Sequence, residues 1–242
     1  MAAPLGTAQR VQEASSMLGS ARSSLMIKRT VAGFPPPIAA YNLNEGTGTT
    51  SADNSGNGKT LTLNAAQWGT GHTGAGLTNS TTGQGASAAL LAPTTAITLM
   101  AWIRPLNLDS GFTRFALGFI DSGGNTDVGF FTERGDFGPG DVFQCDIRIG
   151  GNLSALNGGA LTLNTWVHMA VTYNGSAAIL YKNGVSVANV ALSGTVSPGD
   201  AFYVAGWNTV APYSTFVDVD DVRVFNSALS LAQVNAAMNT PV

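Results

Sequence analysis

Charge is what this 242-residue chain has least of: Lys, Arg, Asp and Glu together make up 10% of it, under half of the roughly 25% usual in a globular protein. Its 11 basic residues do not cluster and are outnumbered by 14 acidic ones, which argues against nucleic acid as principal ligand, because neutralising phosphates takes several Lys or Arg together. A single cysteine, Cys145, excludes an intrachain disulfide and leaves no mark of an oxidising compartment. With only His72 and His168 to serve as an imidazole base, that thiol reads as a small core side chain and not as a nucleophile. No apolar run approaches the roughly 18 residues of a membrane span, and none forms the roughly 7 to 15 residue centre of a secretory leader. A soluble, cytosolically made chain without membrane contact is therefore expected. Glutamate is scarce as well, with only Glu13, Glu45 and Glu133.

What the chain does have is strand and turn signal. Thirty glycines and many Asn, Thr and Ser punctuate short apolar runs, the pattern of an all-β domain of many short antiparallel strands. Strands are expected at 38–43, 61–63, 88–91, 97–104, 115–120, 128–133, 142–149, 202–206 and 216–225. The central stretch from Thr165 to Leu192 carries two Asn-Gly pairs, Asn174-Gly175 and Asn183-Gly184, the strongest short-range signal for two-residue hairpin turns. Two such turns would place Met169 opposite Leu180 and Leu180 opposite Val187 on a core face. The opposite face would then carry His168, Tyr181 and Ser186 in a row, with Trp166 beside it.

Two further features flank this body. Near the C-terminus, Ser230 and Gln233 form a capping box and Leu229 and Val234 a hydrophobic staple, so a helix is expected over 231–238. At the other end, residues 1–37 hold Arg10, Arg22, Lys28 and Arg29 against Glu13, a net +3 that leaves −6 for the rest. Val11, Ala14 and Leu18 allow a short helix near 8–19, and Pro35-Pro36-Pro37 forms a stiff spacer. A segment with so few apolar side chains does not fold alone. It is expected to act as a docking arm, 1–37, held by a surface outside the domain of 38–242.

Six stretches then follow one another along the chain. They are Ala40-Tyr-Asn-Leu-Asn-Glu45-Gly46, Asp53-Asn-Ser-Gly-Asn-Gly58, Thr98-Leu-Met-Ala-Trp102-Ile-Arg-Pro105, Trp166-Val-His168-Met-Ala-Val-Thr-Tyr173-Asn-Gly175, Leu180-Tyr-Lys-Asn-Gly184 and Val219-Asp220-Asp221-Val-Arg-Val-Phe-Asn226-Ser-Ala-Leu229-Ser230. Together, over about residues 38–238, they resemble the laminin-G-like, concanavalin A-like family of lectins and glucanases, of the kind also found in tailed-phage structural proteins. The resemblance implies an all-β, two-sheet antiparallel jelly-roll sandwich, here with an extended N-terminal arm and a short C-terminal helix. It says little of function, because sandwiches of this kind serve as enzymes, lectins and scaffolds alike.

Candidate sites follow from the resemblance and the residues together. The family's hydrolases use a Glu-x-Asp-x-x-Glu strand that this chain lacks, so no enzyme is expected, although Asp218 and Asp220 share one strand face at i, i+2. Related jelly rolls can join an acidic residue of the last strand to the first long loop at a calcium ion. Here that would use Asp53, Ser55, Asn57 and Asp220, with oxygen ligands at alternate positions. Alternation along the last strand puts Asp220 on the same face as Val222 and Val224, beside the core, where a carboxylate must be paired, hydrogen-bonded or metal-bound. Trp166, His168, Tyr181 and Trp207 are the candidate glycan contacts, set against the plainer reading of aromatic packing and a satisfied structural histidine.

Two functions are weighed. The first is a structural module docked through residues 1–37 onto other virion proteins, such as a major capsid or tail protein, and decorating that assembly, with a homo-oligomer among the expected states. The second is a carbohydrate-binding adhesin at an extracellular surface, contacting host glycans.

Overall fold

The computed structural model describes residues 33–80, 85–107, 114–134, 141–207 and 216–242. The helix expected near 8–19 and the docking residues Arg10, Arg22, Lys28 and Arg29 lie outside these. In chain order the strands are β1 (Ala39–Tyr41), β2 (Thr50–Ser51), β3 (Leu61–Leu63), β4 (Gln67–Thr70), β5 (Ala75–Asn79), β6 (Ala86–Ala88), β7 (Ile97–Pro105) and β8 (Arg114–Ile120). They continue with β9 (Thr126–Arg134), β10 (Asp141–Ile149), β11 (Asn152–Ala160), β12 (Val167–Tyr173), β13 (Ala177–Lys182), β14 (Val185–Ala191), β15 (Ala201–Val204) and β16 (Val217–Phe225), before the helix α1 (Leu231–Met238).

Two eight-stranded sheets result. The first runs β14-β13-β12-β7-β16-β5-β4, with β1 also paired to β16, and the second runs β11-β10-β9-β8-β15-β6-β3-β2. All described pairings are antiparallel, as expected of a jelly-roll sandwich. Alternation sends one side chain in two between the sheets. Ile97, Leu99, Ala101 and Ile103 of β7 meet Leu117, Phe119, Val128, Phe130, Phe143 and Ile147 of the facing sheet in one continuous core. Cys145 is fully buried in that core, and burial raises its thiol pKa well above the usual value, so it is the packing residue the sequence suggests. No helix among the described residues is long and apolar enough to cross a membrane.

Sequence expectations and structure part company in three places. The Asn183-Gly184 turn is the two-residue loop expected, with φ of 49° and 72° and Lys182 opposite Val185. The Asn174-Gly175 turn is not. Asn174 closes the strand pair instead, because its Oδ1 accepts the N–H groups of Ser176 and Ala177, and its own N–H donates to Ala177 O. The loop therefore moves one residue on, and Met169 pairs with Lys182 and Val171 with Leu180, in place of Met169 with Leu180. Because the register moves by an even number, the faces are preserved. In the second hairpin a bulge between Leu180 and Tyr181 moves Leu180 opposite Ala188 and leaves Val187 exposed, where a core position was expected.

The third correction concerns β16. Asp221 takes a left-handed φ of 52° inside a bulge between Asp220 and Arg223, which reverses the alternation. Val219, Val222 and Val224 all face the core, while Asp218 and Asp220 lie on the outer face opposite Arg104 and Trp102. The expectation that Asp220 shares a face with Val222 and Val224 is thus overturned, by one extra residue in the strand.

Helix α1 has the capping box read from the sequence. Ser230 Oγ accepts from Gln233 N–H and Gln233 Oε1 accepts from Ser230 N–H. Leu229, Val234 and Ala237 bury against Met100, Ala170, Tyr181 and Phe225 on the outer face of the first sheet. Asn235 donates to Gly184 O, and the Arg223 guanidinium donates to the carbonyls of Ala237 and Thr240 at the helix end. The helix therefore roofs one half of that face. Phe34 joins the same cluster, edge-on to Phe225 with centroids 6.1 Å apart, and Gly33 O accepts from Gln233 Nε2. A chain beginning at Ile38 should consequently unfold at lower urea concentration than one beginning at Gly33, by about 1 to 2 kcal/mol for the lost burial of Phe34, and equal midpoints would show that this contact contributes nothing.

Candidate functional site

The half of the outer face that α1 leaves uncovered carries the rings. On β7, Trp102 and Arg104 point outward, and on β12 His168 stands opposite Trp102 in the ladder, with the two rings edge-on at 5.3 Å. Trp166 immediately precedes β12. The β4–β5 hairpin then brings in a residue that no strand pattern would place here. Its turn, residues 71–74, closes with Gly71 N–H donating to Gly74 O and lies over the face. His72 stacks on Trp102 at 3.6 Å between centroids and 8° between planes, and meets Trp166 edge-on at 6.0 Å.

Asp220 holds that turn in place. Its Oδ2 accepts the Thr73 N–H at 3.0 Å and its Oδ1 the Asp221 N–H at 2.8 Å. Gly71 is needed for the approach, since a Cβ there would stand 2.0 Å from Ala75 O and 2.7 Å from Asp220 Oδ2. Burial at 1% exposure raises the Asp220 pKa to about 6, with Asp221 pushing the same way and the Thr73 hydrogen bond pulling against it. At neutral pH it is a carboxylate fixed by backbone donors. His72 is held below its ordinary pKa by burial against Trp102, with Asp221 opposing. His168, 2% exposed, is driven down to about 3 by burial first, then by the Arg223 guanidinium and His72. Both imidazoles are therefore neutral at pH 7 and behave as aromatic plates.

Arg104 forms the far edge of the patch. Its guanidinium contacts Asp218 Oδ2 at 2.6 Å, reaches Thr70 O at 3.4 Å, and lies 5.0 Å from the centre of the Trp166 ring. The whole is a partly exposed aromatic platform with one cation already paired. It can stack on an apolar ligand face and offer a few N–H donors beside it.

The expected glycan contacts do not all converge here. Trp166 and His168 do, linked by Trp102 and His72. Tyr181 lies opposite Ala170, not His168, and is buried under α1 at 4% exposure. The expected open row of His168, Tyr181 and Ser186 is thus broken up by the shifted hairpin and by the helix. Trp207 belongs to the second sheet, against Phe115 (6.4 Å, 71°) among Ile120, Phe131 and Tyr203. The same outer face holds buried polar groups, with Gln144 donating to Asp146 at 2.8 Å and Arg148 3.8 Å from Asp127. Sequence reading missed His72, Trp102 and Arg104 as site members. Trp102 and Arg104 were legible as alternate outward positions of β7, whereas His72 enters through a turn whose strands carry no apolar alternation.

The candidate calcium ligands Asp53, Ser55, Asn57 and Asp220 are all engaged in hydrogen bonds within the chain. Asp53 accepts N–H bonds from Ala40, Ser55 and Lys59. Burial raises its pKa, but these bonds outweigh it and hold the carboxyl below its ordinary value. Ser55 Oγ and Asn57 Nδ2 both donate to Ile38 O, while Asp220 is engaged with the 71–74 turn. Among the described residues no group of three or more His, Cys, Asp or Glu side chains is placed to hold a metal ion. In these contacts the four residues act as turn caps and anchors.

With this geometry in view, comparison with known proteins gives the lineage. Residues 77–235 match the family model of the concanavalin A-like lectin/glucanases superfamily. The chain belongs to that superfamily. No curated protein sequence matches it. Among solved structures, the binding domain of Paraclostridial Mosquitocidal Protein 1 superposes with a TM-score of 0.64 at 16% identity, over 84% of this chain and 52% of that one. The botulinum neurotoxin serotype G binding domain gives 0.64 at 11%, over 82% and 50%. This superfamily member thus spans about half the length of those toxin domains. Domain 4 of AbnA, a GH43 extracellular arabinanase from Geobacillus stearothermophilus solved with arabinotriose, gives 0.60 at 19%, over 83% of this chain and 97% of that one. At identities this low the likeness shows the shared fold alone.

Acid acts on the two buried titratable groups of the site in opposite senses. His168, lowered from 6.5 to about 3, takes up its proton first in the unfolded chain, so the stability it contributes above pH 6.5 is lost as pH falls towards 3. Asp220, raised from 3.8 to about 6, takes up its proton first in the folded chain, so its contribution is fully present below pH 3.8 and is lost as pH rises through 6. Between pH 7 and pH 5, His168→Gln should gain about 2 kcal/mol relative to the unsubstituted protein and Asp220→Asn should lose about 1 kcal/mol. Urea unfolding at the two pH values measures both, and equal pH dependence in all three proteins would show that neither group is shifted by folding.

Proposed function

We propose that this chain is a non-enzymatic binding module that holds a glycan on the platform of His72, Trp102, Trp166 and Arg104. The observation that carries this reading is the flat stack of the His72 imidazole on Trp102 with Trp166 edge-on beside it, on the half of the sheet that α1 does not cover. A saccharide presents C–H faces to such rings and hydroxyls to the donors at their edge. Support also comes from its structural neighbours. These include toxin binding domains, an arabinanase domain solved with arabinotriose, and a Trypanosoma rangeli sialidase solved with sialic acid, the last matching at TM-score 0.61 and 15% identity over 93% of this chain and 38% of that one.

The carboxyls of this face are engaged among the described residues, which favours a binding role over a glycosidase. Two free carboxyls would have to flank the bond to be cut, whereas Asp218 is held by Arg104 and Asp220 by backbone N–H groups. A screen across a broad glycan array tests the reading. Binding should be found and should weaken at least about tenfold in Trp102→Ala and Trp166→Ala, the equivalent of losing roughly 1.4 kcal/mol. Silence across the array, or binding that survives both substitutions, would refute it.

Attachment to a larger assembly is a second reading, favoured by the net +3 of residues 1–37 against the −6 of the rest. In it, the N-terminal segment joins other virion proteins and the domain is displayed outward. Removal of residues 1–32, which spares Phe34, should leave a folded domain absent from purified particles, and normal incorporation of that shortened chain would rule the docking role out.

A further inference from the structure

We infer that the glycan taken by this platform is an uncharged one, and that Asp218 sets the preference by occupying Arg104. The inference rests on the glycan-binding reading above and deepens it. Arg104 is the cationic side chain in contact with the Trp166 ring, and its charge is already engaged. Asp218 Oδ2 accepts from Arg104 Nε and contacts one terminal nitrogen, each at 2.6 Å. The carboxylate is the more sheltered partner, at 4% side-chain exposure against 25% for the guanidinium, so a ligand reaches the pair from the arginine side. There it finds a guanidinium whose remaining contacts go to Thr70 O and the face of Trp166.

The surroundings tilt the field the same way. Asp220 stands on the same strand face two residues on, 1% exposed beneath the 71–74 turn. Its neighbour Asp221 is answered by Arg223, at 3.4 Å, and Arg223 spends its other donors on the helix carbonyls. Two arginines against three aspartates leave a formal excess of one negative charge around neutral rings. An anionic sugar would have to displace Asp218 from a short charge-assisted contact or lie against that excess unpaired, and either costs affinity. A pyranose without a charged group needs neither.

The test compares the neutral oligosaccharide found on the array with its counterpart carrying a uronic or sialic acid, by titration calorimetry on the full chain at low and at physiological salt. The acidic counterpart should bind at least about tenfold more weakly at low salt, with the gap narrowing as salt screens it. In Asp218→Asn, which frees the Arg104 charge, the neutral-to-acidic ratio should fall by about tenfold. Acidic ligands that bind the unsubstituted protein as tightly as neutral ones, with binding lost in Trp102→Ala, would overturn the charge preference while leaving the glycan platform standing. An unchanged ratio in Asp218→Asn would overturn the role of Asp218. Failure of both ligand kinds to bind would remove the platform reading itself, and this inference with it.

Discussion

One extra residue in β16 decides what both sides of this sheet can be. Without the left-handed Asp221 and its bulge, strict alternation would carry Asp220 into the core alongside Val222 and Val224, where an ionised carboxyl is not tolerated unpaired. With it, the valines of both halves of the strand face inward and three consecutive outward positions acquire separate tasks. Asp218 holds Arg104, Asp220 anchors the 71–74 turn, and Arg223 satisfies the carbonyls that end α1. A left-handed non-glycine residue is strained by an amount on the order of 1 to 3 kcal/mol, and such strain persists because the packing on either side fixes it.

The division of the outer face follows from the same strand. Arg223 and Phe225 draw the helix over Met100, Ala170 and Tyr181, and the far end of the face is left to Trp102, Trp166 and the imidazole laid on them. The apolar surface is thus split into a part that belongs to the fold and a part that water still reaches. Aromatic side chains on the two parts look alike in sequence. What separates Tyr181 from Trp166 is only whether eight residues of helix lie over them.

This accounts for how much was legible beforehand. The sandwich, the terminal helix with its cap and staple, and most strand positions follow from local chemistry, since Asn-Gly turns, Ser-x-x-Gln and period-two apolar runs act within a few residues. Register was less so: the Asn174 side chain and the bulge beside Leu180 each move pairing without leaving a pattern in the apolar residues. The β4–β5 hairpin, Gln67 to Asn79, escaped notice because its apolar side chains are few and seven glycines and threonines lie among them. His72 was therefore invisible as a site residue, while Asp53 and Asp220, legible as oxygen donors, accept backbone N–H groups in the structure.

That hairpin turn joins the platform from outside the core. Of its residues His72 and Thr73 are exposed, so their side chains lie outside the interior packing that governs β7 and β12. Fold and recognition are consequently written in separable parts of the chain: the ligand-facing surface can be re-specified by exchanging a short tip while the layered interior beneath it stays as it is.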